Sequence, residues 1–236
     1  MKLRSSALTD IGKIRQENED RFLREDDLGL YGVADGIGGL PGGAEAASCA
    51  AGFIKAGFKA RVENLSALTQ AASAAVTELG DQINPSFGIG TTLTFGRFRD
   101  GRLDLAHVGD SRCYVLRDGR LTPLTEDHNV ENEARHLRAQ GKHVEVSAAN
   151  RNALTRCIGQ PGLPAVDLSE FPLRPGDRLF FTTDGITRMV EDKELEKLLA
   201  RDDAPEAILR TIVDLGLERG GYDNLTAVLV FVDEVP

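Results

Sequence analysis

Two apolar runs that end in the same dipeptide constrain this chain more than any other feature. Tyr31-Gly32-Val33-Ala34 leads into Asp35-Gly36, and Leu179-Phe180-Phe181-Thr182-Thr183 leads into Asp184-Gly185. Runs of this kind read as strands buried on both faces. Each therefore delivers a carboxylate to a place where an unpaired charge costs on the order of several kcal/mol. No lysine or arginine lies within two residues of Asp35, and the nearest to Asp184, Arg188, follows an expected turn. Carboxylate oxygens suit a hard cation such as Mg²⁺ or Mn²⁺. A capping or turn role is the other reading that the residues leave open.

Asp-Gly also occurs at 100–101 and 118–119, flanked by arginines and set between alternating segments. Those two copies are explained by tight hairpin turns. They separate strands expected at 91–98, 102–108 and 112–116. Earlier in the chain, a strand is expected from residue 21 onward and a buried strand at 28–34. A glycine-rich loop at 36–43 follows, then helices from 44 to about 62 and from about 65 to 83, closed by Asn84-Pro85. Later come strands at 166–171 and 178–183, a helix from 204 to about 219 and a last strand at 225–232. Between 128 and about 160 the pattern is charged and mixed, with a short helix near 131–140, and reads as an excursion from the core.

No tandem repeat, low-complexity tract or flexible linker interrupts the 236 residues, so one domain spanning 1–236 is expected. The element order lacks the alternating βα rhythm of a parallel sheet. It points to an α+β fold in which antiparallel sheets pack together with helices outside. A net charge of −9 excludes nucleic acid as a natural partner. Cys49, Cys113 and Cys157 form no paired spacing and read as reduced thiols. No apolar stretch is long enough to span a membrane and the first residues lack a signal-peptide core, so the expected location is the cytoplasm.

Two more aspartates share the setting of the first pair. Asp110 closes Leu105-Ala106-His107-Val108-Gly109 and precedes Ser111-Arg112, so pairing with Arg112 is its plain structural reading. Asp223-Asn224 stands directly before the last strand, where a turn alone explains it.

Taken in order, a set of short segments resembles the metal-dependent protein phosphatases of type 2C, the PPM family. They are Arg15-Gln16-Glu17-Asn18-Glu19-Asp20, Val33-Ala34-Asp35-Gly36-Ile37-Gly38-Gly39, Gly90-Thr91-Thr92 and Val108-Gly109-Asp110-Ser111-Arg112. Leu124-Thr125-Glu126-Asp127-His128, Thr182-Thr183-Asp184-Gly185 and Asp223-Asn224 complete the set. The resemblance covers nearly the whole chain and is greatest to small stand-alone bacterial members. It implies a four-layer α-β-β-α sandwich with two central antiparallel sheets, metals at one end of the sheets, and residues 128–160 as a flap.

The resemblance also implies roles. Asp35 would bridge two tightly bound Mn²⁺ or Mg²⁺ ions, with Asp184 and Asp223 completing one and the Gly36 carbonyl contacting the other. Glu19, Asp20 and Asn224 would act around those ions, and Arg15 would grip the substrate phosphate. Asp110, with Asp184, would form a weaker third cation site. Substrates would be phosphoserine and phosphothreonine proteins, supplied by a bacterial serine/threonine kinase. Many eukaryotic members carry a histidine where this chain has Ile37, so leaving-group protonation would fall to water at the metal centre or to His128.

Other readings remain. A same-fold phosphatase could act on a small phosphorylated molecule, or an inactive fold could serve as a binding module. A cysteine-based phosphatase is excluded, because the positions six beyond the cysteines are Lys55, Gly119 and Leu163 rather than arginine.

Overall fold

The computed structural model describes residues 1–39 and 41–236. Among the described residues, ten strands form two five-stranded sheets, and every neighbouring pair is antiparallel. The first sheet runs β1 (Lys2–Asp10), β10 (Leu225–Glu234), β9 (Arg178–Thr182), β6 (Arg112–Arg117) and β7 (Arg120–Pro123). The second runs β2 (Asp20–Glu25), β3 (Leu30–Asp35), β4 (Leu93–Arg99), β5 (Arg102–Val108) and β8 (Asp167–Pro172).

Strand alternation sorts the apolar residues into layers. Tyr31, Val33, Leu103, Leu105, Cys113, Leu179, Phe181, Val228 and Val230 meet between the sheets. Their neighbours in sequence point outward to the helices. Leu30, Ala34 and Ala106 pack under α1 (Gly43–Lys59) and α2 (Leu65–Ile83). Tyr114, Phe180, Ala227 and Leu229 pack under α4 (Asp184–Thr187), α5 (Asp192–Leu199) and α6 (Pro205–Glu218). Both faces of the central strands are covered, which is why their sequences read as continuous apolar runs. The result is the four-layer sandwich expected from the sequence. Helix α3 (Val130–Ala139) lies within the 128–160 segment, where the short helix was expected.

The two middle Asp-Gly pairs are hairpin turns. Asp100 and Gly101 have φ of 52° and 74°, and Asp118 and Gly119 have 53° and 77°, so both central residues are left-handed as a type I′ turn requires. Elements that the sequence did not indicate include β1, β7, α4 and α5. Strand β1 is polar in sequence and exists because it pairs with β10 along its whole length. The turn expected after Asp184 is the first turn of α4. Among the described residues, no helix is long and apolar enough to cross a membrane.

One end of the sandwich is closed by a buried ion pair. Arg117, at the end of β6, donates from Nε and Nη2 to Asp177 at 2.8 and 2.7 Å and also from Nη2 to the Pro172 carbonyl of β8 at 2.7 Å. This single guanidinium thus joins the two sheets. The Asp177 side chain is 1% exposed and also accepts the Arg174 N–H at 2.7 Å. Removing one partner of such a pair strands the other, so Asp177→Ala is expected to cost about 3 kcal/mol. Urea unfolding monitored by circular dichroism checks this; a midpoint equal to that of the native chain would contradict it.

Candidate metal and phosphate site

The opposite end of the sandwich gathers segments from across the chain. Asp35 ends β3, Asp110 lies in the β5–β6 turn, Asp184 opens α4, and Asp223 lies on the loop before β10. Together with Arg15, Gly36, Ile37 and Arg188 they line one small cleft of about 120 Å³. Leu154, from the 128–160 segment, reaches the same cleft.

The glycines of these outer Asp-Gly pairs serve close approach rather than turn geometry. A Cβ on Gly36 would stand 2.4 Å from the Gly43 carbonyl oxygen, and one on Gly185 would stand 1.9 Å from that of Asn224. Only glycine lets the α1 entrance and the β10 approach crowd against the strand ends that carry Asp35 and Asp184.

Backbone and hydroxyl contacts fix Asp35. Its N–H donates to Thr92 Oγ1 at 2.9 Å, and its carbonyl accepts from Thr92 N at 2.8 Å and Thr91 Oγ1 at 2.9 Å. Thr92 Oγ1 is 2.7 Å from Ser111 Oγ, beside Asp110. The Gly90-Thr91-Thr92 segment therefore holds Asp35, a role its sequence alone did not reveal. Asp20 stands opposite Asp35 in the β2–β3 register and accepts the Thr183 hydroxyl at 2.8 Å. Asn224 works as a clamp: its Nδ2 donates to the carbonyls of Ile11 and Glu17 at 2.9 and 3.0 Å, and its Oδ1 accepts the Glu19 N–H at 2.8 Å.

Two arginines face the carboxylates. Arg15 Nη2 donates to Asp223 Oδ2 at 2.9 Å, and its Nη1 is 3.6 Å from Glu19 Oε2. Arg188 contacts Asp184 one helical turn away and lies 3.6 Å from Asp223. Asp184 thus has the cationic neighbour that its linear sequence seemed to lack, brought round by α4. Asp110 does not pair with Arg112. That arginine is taken by Asp127 in a two-point contact, with Nε and Nη2 each at 2.7 Å.

His128 is occupied structurally. Its Nδ1 accepts the Gly109 N–H at 3.0 Å and its Nε2 donates to Asp167 at 3.0 Å, while its own N–H donates to the Gly109 carbonyl at 2.8 Å. Both ring nitrogens are used, and burial lowers its pKa. The expectation of His128 as a proton donor to a leaving group is corrected accordingly. Asp127 and His128 together grip the turn on either side of Asp110.

Burial dominates the electrostatics, with carboxylate repulsion adding to it. Burial, followed by neighbouring carboxylates, pushes Asp35 well above the usual range. Burial raises Asp20 and Asp110 to about 7 and Asp184 to about 6, with Arg188 pulling Asp184 back down. Among the described residues, no three His, Cys, Asp or Glu side chains close round a single point tightly enough to enclose an ion unaided. Mg²⁺ and Mn²⁺ do not require that, since Mg²⁺ in particular keeps several waters and takes one or two carboxylates directly. A crowd of oxygens whose charges oppose one another fits a hard cation.

Comparison with known proteins agrees with this geometry. The model of protein phosphatase 2C matches residues 14–225. The chain belongs to this family. The serine/threonine phosphatase stp of Listeria monocytogenes is 30% identical, the match covering 94% of this chain and 93% of that one. A serine/threonine phosphatase structure from S. agalactiae superposes with a TM-score of 0.84 at 30% identity, covering 98% of this phosphatase 2C chain and all of the other. The catalytic domain of the serine/threonine protein phosphatase PstP, in complex with two manganese ions, does so with a TM-score of 0.82 at 30% identity, covering 98% and 99%.

The carboxylate field sets a pH dependence for the metal-free phosphatase 2C chain. Asp20, Asp110 and Asp184 have folded pKa values above the ordinary 3.8, so the folded state binds the extra protons. Their contribution is present at low pH and is lost as pH rises through 6 to 7. His107, pushed down to about 4 by burial and by His128, acts in the opposite sense but only below about pH 6.5. In chelator, stability should therefore fall as pH rises from about 4 to about 7 and level off above that. Asp110→Asn should flatten that fall and raise Tm at pH 8 by roughly 2–4 °C per kcal/mol of repulsion removed. Thermal unfolding with and without chelator reads both effects; a flat native profile would contradict the repulsive field.

Proposed function

We propose that this chain is a metal-dependent phosphatase that removes phosphate from phosphoserine and phosphothreonine in other proteins. The observation that carries this reading is the convergence of Asp35, Asp110, Asp184 and Asp223 with Arg15 on one cleft, in a member of a family whose named relatives are serine/threonine phosphatases. Asp35 would hold two Mn²⁺ or Mg²⁺ ions, together with the Gly36 carbonyl for one and Asp184 and Asp223 for the other. Asp110 is assigned with Asp184 to a weaker third cation. Glu19, Asp20 and Asn224 hold the surroundings of the pair. Bound there, the ions supply an acidified water as nucleophile and neutralise charge on the phosphoryl oxygens.

The protein's own groups do the rest. Arg15 presents a planar fork already oriented by Asp223 and Glu19, suited to two phosphate oxygens at once. Thr91 and Thr92 keep Asp35 from turning away. Attack of water at phosphorus breaks the bond to the serine or threonine oxygen, which leaves as a hydroxyl together with inorganic phosphate.

Protein substrates are favoured over small metabolites by the size and surroundings of the cleft. About 120 Å³ admits a phosphoryl group but falls well below the roughly 300–1,000 Å³ that envelops a small ligand. Ile14 and Tyr222, next in sequence to Arg15 and Asp223, are 63% and 62% exposed. Their loops are joined by the Lys13 N–H to Gly221 carbonyl bond at 2.8 Å. Apolar surface beside a phosphate site suits a polypeptide laid across it. The opposing enzyme is then a serine/threonine kinase of the same cell, and the acidic charge and free thiols suit the cytoplasm.

Mn²⁺-dependent release of phosphate from a phosphothreonine peptide, abolished by chelator, is the direct test. Asp35→Ala should lower turnover by about a thousandfold or more at saturating Mn²⁺ while the chain stays folded. Asp110→Ala should slow a phosphoserine peptide more than an aryl phosphate, whose good leaving group needs little protonation. Retained rates in Asp35→Ala would remove the assignment of Asp35 to both ions. A chelator-insensitive or absent reaction would favour an inactive binding module.

Arg15→Ala should raise KM for phosphopeptides by roughly tenfold or more, and Arg15→Lys should recover only part of the loss. Unchanged KM with reduced thermal stability would make Arg15 a structural partner of Asp223 instead.

A further inference from the structure

A second cavity, of about 350 Å³, opens beside the cleft and shares a wall with it. The shared residue is Ile37, which lines both. Its N–H donates to the Gly90 carbonyl at 2.9 Å, and the chain continues from Gly90 into the threonines that hold Asp35. The cavity and the reacting centre thus meet on the same backbone at Ile37 and Gly90.

The lining is selective. Ile89 and Cys157 are buried and form its apolar interior together with Ile37. At its rim stands Phe87, 77% exposed, an aromatic ring that folding alone does not bury. The loop that carries Phe87 is fixed: the N–H groups of Phe87 and Gly88 both donate to the Asn84 carbonyl, at 3.2 and 2.7 Å. Gly88 adopts the left-handed conformation, with φ of 71°, that closes the turn. Among the described residues, Asp81 is the one charged side chain in the lining. A second phosphate is disfavoured there, whereas an apolar side chain, with a basic residue near Asp81, is accommodated.

We infer that this cavity receives an apolar side chain of the phosphorylated polypeptide, a leucine-sized residue within a few positions of the phosphoserine or phosphothreonine. The inference rests on the phosphoprotein reading above and deepens it, because it names a local sequence preference. The occupant follows from continuity: a chain that places its phosphoryl group against Asp35 must cross Ile37 to leave on this side, and Ile37 is the threshold of the cavity. Burying a leucine side chain against Ile37, Ile89 and Phe87 should favour such a substrate by about tenfold in kcat/KM.

The test is a leucine scan through the three positions on each side of phosphothreonine, in an otherwise alanine peptide, with Mn²⁺ present. The native enzyme should prefer leucine at one position by about tenfold over the all-alanine peptide. Phe87→Ala, which removes an exposed ring and leaves the fold intact, should shrink that preference to under twofold without changing the rate on p-nitrophenyl phosphate. Asp81→Ala should leave the leucine preference in place and weaken discrimination in favour of a neighbouring lysine. Good turnover with a flat scan would overturn the subsite and leave the phosphatase reading intact. So would a leucine preference that survives Phe87→Ala, or an equal loss on p-nitrophenyl phosphate in that variant. Hydrolysis of p-nitrophenyl phosphate without turnover of any phosphopeptide would overturn the phosphoprotein reading and the subsite with it.

Discussion

The burial of several carboxylates together at one end of the sandwich is the constraint that organises the molecule. Asp20, Asp35, Asp110 and Asp184 are each raised above the ordinary carboxylate range, first by burial and then by at least one neighbouring carboxylate. Left to relax, such groups would separate and hydrate. They stay together because each is anchored through its backbone to a strand end or turn that the core holds in place. Asp35 hangs from Thr91 and Thr92, and the Asp110 turn is gripped through Gly109 and Arg112 by His128 and Asp127. The stability of the sheets is thereby spent on keeping like charges close, the arrangement a pair of divalent cations turns into attraction.

Rigidity in this fold is distributed to suit that task. The apolar layers between and outside the sheets contain the large side chains Tyr31, Phe95, Tyr114, Phe180 and Phe181, all essentially without solvent exposure. The Arg117–Asp177 pair locks the far end. Around the cleft, by contrast, exposed apolar groups such as Ile14, Phe87 and Tyr222 stand on loops beside the fixed centre. Chemistry is placed on strand ends and recognition on the loops around them, a division common to enzymes built on rigid scaffolds.

Local sequence carried much of the architecture. The hairpins at Asp100-Gly101 and Asp118-Gly119 were legible because a type I′ turn needs two left-handed residues, and few dipeptides supply them. The doubly buried strands β3 and β9 were legible from unbroken apolar runs, and α1 and α2 from helical periodicity. Strand β1 was not, because Lys2–Asp10 is polar and half exposed, and pairing with β10 rather than burial makes it a strand. Helix α5 escaped notice because only Leu195 and Leu199 of its eight residues are buried.

The sequence by itself determined which aspartates end buried strands, and hence which carboxylates needed a partner. Tertiary structure decided who those partners are. Arg15 and Asp223 meet across 208 positions of chain, and Asn224 clamps Ile11, Glu17 and Glu19 from more than 200 positions away. No window of neighbouring residues contains such contacts, since they exist only once β1 and β10 pair and bring the first and last loops together. The same holds for His128, whose motif suggested chemistry but whose two ring nitrogens are spent on Gly109 and Asp167. It holds too for the Ile37 wall, which borders two cavities only because Gly90 is folded against it. Periodicity and turn chemistry are local properties of a chain, whereas proximity between distant segments is set by the pairing of sheets.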